Sequence, residues 1–268
     1  MSLIPLGTIY DPFVARALEP WSYGMYAGGQ SILVGTPSGV TLAPEGGAQV
    51  HHHTVHRPGT TELHRVGAGV RAGLGVAHAA RDEPRRHPGR DVELLPALHP
   101  PRLPGPRAAA GGPHAGCPTT QPGGARECRI THHDPATEAV TLVGVGAVLP
   151  EVVDAARVLG KHGIVAGVVC LTSPDLVFRS WEARSRAGAH SVSPIIEDLF
   201  PATYSAPLVA VLDGHPHTLS FLAGARGDPI RCLGVRDFGQ SSSLTDAYAL
   251  HEIDSPAIVD ADLALVSR

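Results

Sequence analysis

The chain has 268 residues, a formal net charge of −4 and a sequence pI of about 6.4, so neither a nucleic-acid backbone nor an anionic membrane surface is a natural partner. Its four cysteines, Cys117, Cys128, Cys170 and Cys232, form no C-x-x-C pair and suggest no disulfide framework. No apolar run approaches the roughly 20 residues needed to cross a bilayer, and no basic leader precedes Leu3; the expected compartment is the cytoplasm.

Residues 1–48 have the mixed composition of folded protein. Leu3–Ala17 combines apolar and small residues with Tyr10 and Phe13. Ser31–Val34 reads as a short strand and Thr36–Gly39 as a turn. Residues 49–132 differ. They hold many of the His, Pro and Arg residues and no Phe, Trp, Tyr, Lys, Met or Ser. No hydrophobic period survives more than a few residues, so this stretch is expected to be disordered or poorly packed.

Residues 134–268 alternate strand and helix signals. Val140–Leu149 is a buried-strand run, and Pro150 suits the first turn of a helix over Glu151–Gly160. Ile164–Leu171 is the second strand, and Ser173-Pro174-Asp175 opens a helix through about Ala187. Leu208–Leu212 and Ile230–Val235 are further strands, with helices expected at Thr218–Ala225, Ser243–His251 and Pro256–Val266. That order predicts an α/β fold with a doubly wound, mostly parallel sheet.

Two runs carry a family resemblance in the first stretch: Ile9-Tyr10-Asp11-Pro12-Phe13 and Gly35-Thr36-Pro37-Ser38-Gly39-Val40-Thr41-Leu42-Ala43-Pro44-Glu45-Gly46-Gly47-Ala48. Two more lie in the third: Asp213-Gly214-His215-Pro216-His217-Thr218-Leu219 and Leu233–Ser241. They resemble the pyrimidine-binding and C-terminal domains of the homodimeric pyruvate dehydrogenase decarboxylating component, within the transketolase-like thiamine diphosphate superfamily. In that family Glu-Gly-Gly-Ala leads into His-Gln-Ser. Here Gln49-Val50-His51 follows instead, so residues 1–48 are a partial, disrupted pyrimidine-binding domain.

A shifted reading frame accounts for the break. With GC-biased codons, Val50–His56 read one base later gives Ser-Ile-Ile-Thr-Pro-Ser-Ile, which is similar to the family text. The same shift applied to Gly89–Pro101 gives Asp-Gly-Thr-Ser-Ser-Tyr-Phe-Arg-Leu-Ser-Thr-Arg, similar to a family strand. Residues from about Gln49 to about Cys128 are therefore read as frame-shifted, and the chain as three parts: 1–48, 49–133 and 134–268.

The resemblance implies thiamine diphosphate and Mg²⁺ as cofactors, and oxidative decarboxylation of pyruvate. The partners it implies are a homodimer mate, or a complementary chain carrying the diphosphate-binding domain, and a lipoyl-bearing acyltransferase. Transketolase-type transfer of a ketol unit is the alternative activity, and a non-catalytic dimerisation module the alternative of another class.

The residues present fall short of that chemistry. The family holds the metal-bound diphosphate with Gly-Asp-Gly and an Asn, but this chain has no asparagine, and Gly227-Asp228-Pro229 is not that motif. The family's activating glutamate lies upstream of the segment matching residue 1. Inactivity in isolation is expected. Glu45 and Gly46 are the cofactor-adjacent candidates, and Gly47 closes that run. His51 and His215 are the candidate catalytic histidines.

Other features carry structural readings. His51-His52-His53 with His56 is read as a solvated tract, not a metal site. Asp213 is expected to cap the turn that follows it. Arg236, Asp237 and Gln240 are assigned to structure or an interface, and Gly144-Val145-Gly146 to a close-packed strand end rather than a phosphate loop.

Overall fold

The structure is a computed structural model; it describes residues 6–9, 19–20, 23, 27, 31–35, 39–45, 63–65, 92–96, 128–131, 134–171, 174–187, 194–237 and 240–266. Nine strands form two sheets among these residues.

The larger sheet is built from β5 (Cys128–Arg129), β6 (Val140–Val145), β7 (Ala166–Leu171), β8 (Leu208–Leu212) and β9 (Ile230–Leu233), in spatial order β5-β7-β6-β8-β9. All pairings are parallel except that of β5, which runs antiparallel along the edge of β7. The connecting segments form α1 (Leu149–Lys161), α2 (Pro174–Ala187), α3 (Pro194–Leu199) and α4 (Ala223–Arg226). They are followed by α5 (Leu244–Leu250) and α6 (Ser255–Val266).

Side-chain alternation along the strands divides the core between two faces. On one face Leu142, Val168, Cys170, Val209 and Val211 meet Val152, Ala155 and Leu159 of α1 and Ile258 and Ala261 of α6. On the other, Val143, Val169, Leu171, Leu208, Ala210 and Leu212 meet Val177, Ile196, Leu199 and Phe200. Burial on both faces is why these strands are nearly continuous apolar runs. The doubly wound reading of this region holds.

Most predicted boundaries agree within two residues. One differs for a clear reason: β6 stops at Val145 because Gly146 has φ +70, and the chain turns through Gly146–Val148 into α1. Gly144 sits where a Cβ would press on Leu149 and Val152, as the close-packed reading of that strand end requires. Thr218–Ala225, expected as one helix, is a 3₁₀ helix over Pro216–Leu222 that passes into α4.

Buried polar groups are mostly paired. Arg129 of the edge strand forms an ion pair with Glu138 and donates to the Leu199 carbonyl at 2.6 Å, pinning β5 to the domain. Glu138 also accepts from Thr141 Oγ1 at 2.9 Å. Its carboxylate lies where a Cβ on Gly167 would fall, so no side chain fits there. Arg226 and Asp228 form a buried ion pair at 2.5 Å, and Ser205 donates to Asp228 at 2.6 Å. Glu151 accepts from the Ser255 N–H at 3.0 Å, tying the first turn of α1 to that of α6.

The smaller sheet is parallel throughout, in order β1-β2-β4-β3, from β1 (Leu6–Ile9), β2 (Ser31–Gly35), β3 (Leu63–Arg65) and β4 (Val92–Pro96). Its last two strands fall in the stretch that composition marked as poorly packed. The rest of residues 49–127 lies outside the described residues.

Candidate functional site

In open parallel sheets, ligands collect at the carboxyl ends of strands whose outgoing connections leave to opposite faces. Here that place lies between β6, which runs into α1, and β8, which runs into the 3₁₀ helix Pro216–Leu222. Gly146 and Asp213 stand at these two strand ends.

The β8 side of this place is occupied by the chain itself. A 3₁₀ helix over Val40–Glu45 enters it, and Val40 and Ala43 join the core face that holds Val148, Val235, Ala247 and Tyr248. Asp213 accepts from the Val40 N–H at 2.8 Å and from the Thr41 N–H at 2.9 Å. It also accepts a short hydrogen bond from the Thr41 hydroxyl. That hydroxyl lies 2.9 Å from the Tyr248 phenol, which can then donate to it. The Ser242 N–H donates to the Ala43 carbonyl at 3.3 Å.

Gly39 completes the seam. Its φ of +80 suits glycine, and a Cβ there would coincide with the Asp213 carboxylate.

Burial sets the electrostatics of this seam. It pushes the Asp213 carboxyl above the usual carboxylate range; the Thr41 hydroxyl, the two N–H donors and His251 oppose that shift without cancelling it. Burial, reinforced by the nearby Asp213, pushes the Tyr248 phenol up as well.

The expected site residues are placed as follows. Glu45 ends the 3₁₀ helix; Gly46, Gly47 and His51 lie outside the described residues. His215 caps the helix Pro216–Leu222, its Nδ1 accepting from the His217 N–H at 3.3 Å, and its ring meets that of His217 edge-on with centroids 5.6 Å apart. The expectation that Asp213 caps its own turn is corrected: His215 does so, and Asp213 reaches a segment 172 to 173 residues away in sequence. Arg236 donates to the Cys232 carbonyl at 3.4 Å and is exposed, as are Asp237 and Gln240.

Sequence reasoning missed the Asp213–Thr41–Tyr248 grouping. The only available signal was an acidic residue at the end of an apolar strand.

A magnesium-held diphosphate requires several oxygen ligands converging on one point. Among the described residues, no three His, Cys, Asp or Glu side chains are placed to hold a metal ion. Asp213 is engaged by Val40 and Thr41, Asp228 by Arg226 and Ser205, and Glu138 by Arg129 and Thr141. The described residues do not fit the cofactor. Nor is any helix among them long and apolar enough to cross a membrane.

Comparison with known proteins agrees with the geometry of the larger sheet. Residues 129–254 match the family model described as the transketolase-like TK C-terminal domain. No curated protein sequence matches the chain. Among solved structures, transketolase from Leishmania mexicana superposes with a TM-score of 0.70 at 15% identity, over 99% of this chain and 34% of that one. Transketolase from Campylobacter jejuni subsp. jejuni gives 0.64 at 13% identity, over 98% of this chain and 36% of that one. A structure titled split gene transketolase, inactive beta4 tetramer, gives 0.55 at 18% identity, over 98% of this chain and 77% of that one. The chain thus spans about a third of the first two. At these identities the likeness is one of fold. The region that matches the family model, residues 129–254, contains the four parallel strands β6–β9, so the larger sheet is similar to a transketolase-like C-terminal domain.

Proposed function

We propose that this chain is the C-terminal part of a thiamine diphosphate-dependent enzyme, inactive alone, whose diphosphate site belongs to a complementary chain. The observation that carries this reading is the crevice between β6 and β8. There residues 40 and 41 engage Asp213 at the end of β8, and no metal-binding cluster exists among the described residues. A domain of this family without a ligand site of its own needs a partner to supply one. The split gene transketolase, similar in fold over 98% of this chain, supports a divided enzyme.

Two activities follow from two observations. The runs Gly35–Ala48, Asp213–Leu219 and Leu233–Ser241 favour oxidative decarboxylation of pyruvate, with acetyl transfer to a lipoyl-bearing acyltransferase. The fold of the transketolase relatives favours transfer of a two-carbon ketol unit between sugar phosphates.

The frame-shifted reading of the middle segment is retained as part of this proposal. It is supported by the place of β4, Val92–Pro96, which covers the residues whose shifted reading gives Ser-Ser-Tyr-Phe-Arg. In the gene of a close relative, an offsetting pair of insertions and deletions should bracket this region; an unbroken match in the same frame contradicts the frame-shift.

The activity test is reconstitution. The purified chain is mixed with the product of a neighbouring reading frame that encodes Gly-Asp-Gly and Asn, plus thiamine diphosphate and Mg²⁺. Turnover of pyruvate with a lipoyl acceptor, or of a sugar phosphate, should require both chains and shows which activity is present. Turnover by this chain alone, or none by the pair, overturns the reading.

A further inference from the structure

Residues 39–45 lead directly into Gly46-Gly47, and all of their described polar anchors belong to the C-terminal domain. The Val40 N–H, the Thr41 N–H and the Thr41 hydroxyl converge on Asp213, while the Ser242 N–H holds the Ala43 carbonyl. Val40 and Ala43 are both buried in the core of that domain. An acceptor that gathers three donors from two consecutive residues fixes the direction of the segment as well as its position. Tyr248 adds to this: with its phenol donating to Thr41 Oγ1, the hydroxyl proton of Thr41 is directed at Asp213.

We propose that Asp213 is a positioning residue, which from the end of β8 determines where residues 39–45 stand. Gly39 is its structural counterpart, since any side chain at that position would displace the carboxylate. The larger-sheet region thereby fixes a segment from the N-terminal part of the chain, more than 170 residues away in sequence. The anchoring does not rest on the function proposed above.

Amide hydrogen exchange on the full chain, followed by mass spectrometry without cofactor, tests the proposal, so its outcome is independent of the cofactor assignment. Asp213→Ala should speed exchange at Val40 and Thr41 by at least about tenfold, with β6, β7 and β8 unchanged. Thr41→Val should give a several-fold increase confined to the same segment, and Thr41→Ser, which restores the hydroxyl, should return exchange to the wild-type rate. Wild-type exchange at Val40 and Thr41 in Asp213→Ala overturns the proposal. If Asp213→Ala loosens the whole domain, the Thr41 pair decides. Equal rates in Thr41→Val and Thr41→Ser, or loosening by Thr41→Val that spreads across the strands, also overturn it.

Discussion

The two sheets of this chain have parallel interior strands with very different side-chain complements. Strand β6, paired on both sides, reads Val-Thr-Leu-Val-Gly-Val and has apolar groups for both faces. Strand β4, equally interior, reads Val-Glu-Leu-Leu-Pro, and its neighbour β3 reads Leu-His-Arg. A charged residue and a proline are poor choices for an interior parallel strand. A backbone arrangement is thus shared by two texts, only one of which supplies the apolar surface that stabilises it. If the frame-shift proposed above is correct, the contrast has a cause, because the residues of β3 and β4 were not selected for this sheet.

Stability measurements sharpen the contrast. The buried pair Arg226–Asp228 should matter most. Arg226→Ala leaves a carboxylate buried without its partner and should cost about 3–5 kcal/mol in denaturant unfolding. Leu142→Ala, at a fully buried position of β6, should cost about 2–5 kcal/mol through lost transfer energy and the resulting cavity. Gly39→Ala should also destabilise the domain, by about 1–3 kcal/mol, because the new Cβ strains a left-handed position and displaces the Asp213 carboxylate, loosening residues 39–45. If the C-terminal domain supplies the cooperative transition, a chain starting at Cys128 should retain a single unfolding transition. Loss of that transition would make the two sheets interdependent.

A smaller effect is expected at Asp262, fully buried on the inward stripe of α6, where neither carboxylate oxygen has a hydrogen-bond partner. Burial pushes its carboxyl up to about 6. The folded-state value is raised, so the carboxyl's contribution is favourable below about pH 4 and is lost as pH rises through about 6. Asp262→Asn should therefore stabilise the protein by about 1–2 kcal/mol at pH 7 and by little at pH 4. An equal effect at both pH values would show that the carboxyl is not buried as described.

Much of the larger sheet was legible because its signals are local. Apolar runs of five or six residues mark β6, β7 and β8, Pro150 marks the start of α1, and Ser243 caps α5 by accepting from the Asp246 N–H at 3.1 Å. Short elements were not legible. β5 has two residues and α3 has six, too few to show a period, and β1 hides in a mixed segment. The candidate site was the least legible part. Thr41 and Asp213 are brought together only by the packing of residues 39–45 on the larger-sheet core, and no spacing in the chain records that.

Calorimetric titration of the purified chain with thiamine diphosphate in the presence of Mg²⁺ tests most directly whether it is an incomplete enzyme. With Asp213 engaged by Val40 and Thr41 and no metal cluster among the described residues, no binding tighter than about 1 mM is expected. Saturable binding at about 1 μM or below, by this chain alone, would contradict the account.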